Sequence, residues 1–199
     1  MLSACYNLQL RNIRVYLPPY PIGIPSEISK MIQKFIPISR VLIGIKKLKI
    51  FTFGPRPHDF LACNAPIKPL FDLGIEIMEN SELDLLDLYH SAKGDPQIEQ
   101  IKKEMKEELS GSGNYPPSYE DIIEKLAQYE VALLNFYREN IGASEYGIFA
   151  NKCWPAFQTD FEFVPCYVNS RLASKGIPVS CEVDIYGVLS EYIGLLASG

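Results

Sequence analysis

The sequence predicts an α/β protein: an open, mainly parallel sheet with helices on both faces, in a Rossmann-like three-layer arrangement. Three observations carry this. Short β-rich apolar runs alternate with longer stretches of helical periodicity. The connections between the runs are mostly too long for hairpins, so successive strands need crossovers and run parallel. The 199 residues are 47% hydrophobic and 22% charged, enough apolar material for a real core in what reads as one domain with an appended segment.

Residues 1–36 read as that segment, coming from a preceding domain, and 37–199 as the α/β domain. The run IRVY is strand-like, but the prolines of LPPYPIGIP remove backbone donors and fix φ, which makes the stretch a connector. From Ser26, the spacing of Ile28, Met31, Ile32 and Phe35 predicts a helix interrupted at Pro37 and resuming through Val41 to Ile45. LKIFTF, ending at Gly54, is a buried strand. A helix follows the GPRPHD loop, weakened by Pro66 and Pro69 and closed at Gly74, where glycine adopts a left-handed cap cheaply.

IEIM is the next strand, and Ser81 with Asp84 forms a capping box for the helix after it. Asp95-Pro96 opens a further helix whose inner face is Ile98, Ile101, Met105 and Leu109. GSGNYPP, residues 111–117, reads as a flexible loop, and Ser118 with Asp121 as a second capping box, for a long helix carrying Ile122 to Phe136. YGIFAN is a strand, 155–175 loop and helix, IPVSC a strand, and IYGVLSEYIGLLA the last helix, capped by Asp184.

The composition excludes some roles. A net charge of -5 with no block of like charges argues against a nucleic-acid partner. No apolar run is long enough to span a membrane, and the N-terminus lacks the pattern of a secretory leader, so a cytoplasmic location is expected. Five irregularly spaced cysteines fit reduced, mostly buried thiols better than disulfides or a zinc site.

Glu182 and Asp184 stand one residue apart just beyond the carboxyl end of the strand IPVSC, where open α/β sheets meet their ligands. Two readings are open on physics alone. Asp184 can cap the last helix while Glu182 is a solvated loop acid. Alternatively, Glu182 is a ligand for a hard divalent ion and a proton carrier beside a chelated sugar.

The stretch NKCWPAFQTDF, then GIP, then CEVDIYG resembles the segment of the L-fucose isomerase and L-arabinose isomerase superfamily that carries CW-P-F, G-I-P and C-E-x-D-x-x-G. LKIFTFGPRPHDF followed by LGIEIMENSEL resembles the same family's G-x-R-P loop and next strand. The likeness covers the chain from roughly Pro37 onward.

It implies an aldose-ketose isomerase acting through an enediol, with Glu182 as both a catalytic proton carrier and a ligand to Mn2+ or another divalent ion. Asp184 is implied as a helix cap or a group behind the ligand. The family's remaining ligands, an aspartate in D-x-N-N and a later histidine, have no counterpart here, because His58 and His90 lie in the wrong context. The resemblance therefore implies the middle domain of a larger isomerase, inactive alone, whose partners are an aldose or ketose sugar and its own missing domains or other subunits of a homo-oligomer. A non-catalytic ligand-binding or regulatory α/β module, with both acids merely capping, is the competing expectation.

Among the remaining features, GPRP has too few free N–H groups to cradle phosphate, so Arg56 is expected to make a structural or interdomain contact. Trp154 either lines a sugar face or sits in the core. The acids from Asp72 to Asp87 are expected on solvated faces.

Overall fold

The computed structural model describes residues 2–17, 19–20, 22–111 and 120–199. The chain divides into two compact units, 1–39 and 40–199. The first contains helix α1 (Leu2–Leu10), α2 (Pro25–Gln33) and the start of α3 (Phe35–Lys46). The IRVY run is not a strand: residues 13–17 are irregular, and among the described residues of this unit there is no strand for them to pair with. Pro37 does not break α3, because it lies in the first turn, where the missing N–H has no intrahelical partner to lose.

The second unit holds a four-stranded, all-parallel sheet in the order β2-β1-β3-β4. Its elements are β1 (Leu48–Phe53), a 3-10 turn Leu61–Asn64, α4 (Lys68–Asp72), β2 (Glu76–Asn80), α5 (Glu82–Ser91), α6 (Gln97–Gly111), α7 (Glu120–Asn140), β3 (Tyr146–Asn151), a π-helical turn Phe157–Phe161, α8 (Cys166–Ser174), β4 (Val179–Cys181) and α9 (Ile185–Ser198). The α/β class with helices on both faces holds. The flexible loop expected over 111–117 and the Ser118 cap fall, beyond Gly111, outside the described residues.

Alternation along the strands sets the layers, since successive side chains point to opposite faces. Phe51, Phe53 and Phe149 pack with α5, α6, α7 and α8 through Leu85, Ile101, Met105, Leu133 and Leu172. Leu48, Ile50, Ile148 and Ala150 face the other way, onto Leu70 of α4 and Val188, Leu189 and Tyr192 of α9.

The caps expected at Ser81 and Gly74 form. The Asp84 N–H donates to Ser81 Oγ at 3.2 Å, and the Ser81 N–H returns to Asp84 Oδ2 at 2.7 Å. After α4, Gly74 sits at φ 85° and its neighbour's N–H reaches back to the Leu70 carbonyl, closing that helix as its sequence suggests.

Helices α6, α7 and α8 are clamped by one buried cation. Arg171, 4% exposed, donates to Glu130 Oε2 at 2.7 Å and Glu104 Oε2 at 3.1 Å, and also bonds Glu108, while Lys175 reaches Glu130 Oε1 at 2.6 Å. Glu130 is fully buried, so these partners are what make its charge tolerable.

Candidate functional site

Connections leave β1 toward β2 on one side and β3 toward β4 on the other, so the strand order reverses between β1 and β3. At the carboxyl ends of that pair an open α/β sheet forms its crevice. Gly54 closes β1 at φ 104°. A Cβ there would lie 2.9 Å from both Glu82 Cγ and Lys152 Cβ, so the absent side chain is what lets the two approach. Lys152 Nζ stands 3.5 Å from Glu82 Oε2, bridging the end of β3 and the start of α5.

One strand over, β4 ends at Cys181 and the chain turns sharply. Glu182 and Val183 both adopt left-handed backbone, at φ 55° and 54°. Non-glycine residues seldom do so, β-branched ones least of all, and each costs about 1–3 kcal/mol. The turn is held on three sides. The Asp184 N–H bonds the Cys181 carbonyl at 3.1 Å, Ser180 Oγ donates to the Asp184 carbonyl at 2.8 Å, and Val183 is 2% exposed within the α9 core.

The two acids thus part company. Asp184 Oδ1 accepts the Gly187 N–H at 2.8 Å and caps α9. Glu182 caps nothing: its Oε1 accepts the Cys153 thiol at 3.0 Å, and its Oε2 is buried with no partner. Cys153 follows β3, so the adjacent strands bring together residues 29 apart in sequence. Burial first, and then the Glu182 carboxylate, push the Cys153 thiol well up, so it stays protonated and able to donate. Cys63, from the β1–β2 connection, is raised by burial and then by the charges of Asp184 and Glu182.

Behind this turn lie further polar groups. Asn151, the last residue of β3 and the register partner of Cys181, donates from Nδ2 to Tyr129 Oη at 2.9 Å, while its Oδ1 is buried and unpartnered. Asn169 of α8 approaches Cys181 Sγ at 4.0 Å, and its Oδ1 is likewise unpartnered.

The remaining residues weighed in the sequence fall partly where expected and partly not. Trp154, immediately after Cys153, is 52% exposed and is not core. The thiols are not mostly buried: Cys166 and Cys181 are exposed and only Cys63 is fully buried, though all five are free. Arg56 donates to the Ala65 carbonyl at 2.6 Å, pinning its own loop. His58 and His90 are both exposed. Cys153, Lys152, Glu82 and the two asparagines were not singled out as site residues, and only the strand order could have gathered them.

As a metal site the cluster is one ligand deep. An unpartnered buried carboxylate oxygen suits a cation, but among the described residues no group of three or more His, Cys, Asp or Glu could hold an ion. Hard divalent ions take six or more oxygens, so these residues do not make a metal centre by themselves.

Comparison with known proteins bears out the sequence resemblance to the fucose isomerase-like superfamily. A family model for the N-terminal domain of fucose/sulfoquinovose isomerases matches residues 1–46. The chain is similar to the sulfoquinovose isomerase of Clostridium sp., 26% identical over 185 residues that cover 90% of this chain and 39% of the relative. It is also similar to that of Priestia megaterium, 26% identical over 87% of this chain and 38% of the relative, and to that of Alkalicoccus urumqiensis, 26% over 75% and 32%. The chain thus spans about two fifths of the length of the curated relatives it matches.

Proposed function

We propose that the chain is part of an aldose-ketose isomerase acting on a sugar of the sulfoquinovose type, and that Glu182 is its proton carrier. The observation that carries this is the unpartnered buried Oε2 of Glu182 on a left-handed turn at the carboxyl rim of a parallel sheet. A carboxylate kept short of donors at some backbone cost is poised to take a proton from something else.

In the reaction, Glu182 removes the proton on C2 of the open-chain aldose. The electron pair forms the C1=C2 bond, and O1 takes up a proton. Return of a proton to C1, with loss of the O2 proton, gives the ketose, so atoms and charge balance. Trp154, exposed beside Cys153, is positioned on the chain to offer an aromatic face to the sugar. Asp184 holds the N-terminus of α9 and through it the turn that carries Glu182.

Glu182 would supply one ligand to a divalent ion such as Mn2+, with the others coming from outside these residues; when bound, the ion would stabilise the charged enediol oxygens. The complete enzyme works with its further domains, or other subunits of a homo-oligomer, around this turn. No described helix is long and apolar enough to cross a membrane.

Running the isomerisation in D2O tests the chemistry. Deuterium at C1 of the ketose is the expected result. Normal turnover of Glu182→Gln, with no solvent hydrogen in the product, would point to hydride transfer and remove the role given to Glu182.

A further inference from the structure

The turn fixes the backbone of Glu182 from three sides, yet its carboxylate has one hydrogen-bond partner, the thiol of Cys153 at 3.0 Å. We propose that Cys153 is a positioning residue: by donating to Oε1 it selects the Glu182 rotamer and leaves Oε2 as the oxygen that works. This rests on the reading of Glu182 given above and adds to it a residue that touches neither sugar nor ion.

The geometry favours a thiol in that place. Cys153 leaves β3 beside the end of β4, so the donor comes from a rigid neighbouring strand and not from the turn itself. Sulfur reaches further than oxygen and competes weakly with the carboxylate for other donors. Without Cys153, Glu182 would carry two unpartnered oxygens, and a side chain with several free torsions would have no reason to choose one orientation.

The test compares Cys153→Ala with Cys153→Ser in the complete enzyme, with Glu182→Gln alongside. For Cys153→Ala, kcat is expected to fall about tenfold with KM little changed, the pattern of a group that acts only on the reacting geometry, and Mn2+ affinity measured by calorimetry is expected to weaken several-fold. Cys153→Ser keeps a donor and is expected to recover most of both. A crystal structure of Cys153→Ala is expected to show the Glu182 carboxylate rotated or in two conformers.

An unchanged Glu182 rotamer in that structure would overturn the proposal whatever the kinetics, as would serine failing to outperform alanine in a variant of wild-type thermal midpoint. If instead Glu182→Gln turns over normally, the catalytic reading fails, while the rotamer in Cys153→Ala still decides whether Cys153 positions the carboxylate.

Discussion

The helical layer of α5 to α8 and the rim at the carboxyl ends of β3 and β4 solve the same problem, burying polar groups, in opposite ways. In the layer, satisfaction is thorough: Glu130 is fully buried yet has Arg171 and Lys175, Gln128 donates to the Tyr89 carbonyl at 2.6 Å, and Asp95 receives the Gln97 N–H at 2.8 Å and Asn135 Nδ2 at 3.0 Å. At the rim, Asn151 and Glu182, and Asn169 where α8 reaches Cys181, each leave an oxygen without a donor; among the described residues only Tyr192 Oη, on α9, is buried in the same condition. The rim also concentrates left-handed non-glycine backbone, at Glu182 and Val183. Unmet hydrogen-bonding capacity costs about 1–3 kcal/mol per buried group. Its accumulation at one strand end, beside a layer that tolerates almost none, marks the rim as the part shaped for something other than stability.

The largest break in this contrast comes from the layer. Arg171→Ala would leave Glu130 charged and buried with Lys175 alone, and a loss of about 3–5 kcal/mol of stability is expected in urea titrations. Replacing Arg171 and Glu130 together by apolar residues should recover much of it.

At the rim, Gly54→Ala is expected to cost about 1–3 kcal/mol, since it adds a side chain at φ 104° and forces Glu82 and Lys152 apart. A thermal midpoint equal to wild type would show that the crevice is looser than its geometry indicates.

The smallest effect is in pH. The Ser81 backbone bond holds Asp84 below the ordinary carboxylate range, and the Gln97 N–H followed by Asn135 does the same for Asp95. Carboxyls depressed in the fold contribute stability that is complete above their unfolded values, about 3.9, and is lost as pH falls through the lower folded values. The midpoint should therefore be level above about pH 5 on this account and fall below about pH 4, with Asp84→Asn, which removes the titrating group, showing a shallower fall.

Much of the layer was legible in the sequence because its signals are local. LKIFTF and YGIFAN became β1 and β3 at their read boundaries, and Ser81, Gly74 and Asp184 mark helix ends through short-range hydrogen bonds. The rim was legible only in outline. Nothing in CEVD announces a left-handed turn, since neither residue in it is glycine or asparagine, and the tertiary burial of Val183 overrides its preference. Cys153 was visible in CWP but not as a partner of Glu182, because the pairing depends on β3 and β4 being neighbours. Helix α1 was missed for another reason: its apolar residues follow no clear helical face.

The central claim is that the two acids of CEVD do different work, Glu182 chemistry and Asp184 structure. The direct measurement is turnover of Glu182→Gln and Asp184→Asn, side by side in the complete enzyme at saturating Mn2+. The account predicts a loss of about 10²- to 10⁴-fold for Glu182→Gln, the usual cost of a missing general base. Asp184→Asn should stay close to wild type, because asparagine still accepts the Gly187 N–H. Near-normal turnover in Glu182→Gln, or a larger loss in Asp184→Asn, would contradict it.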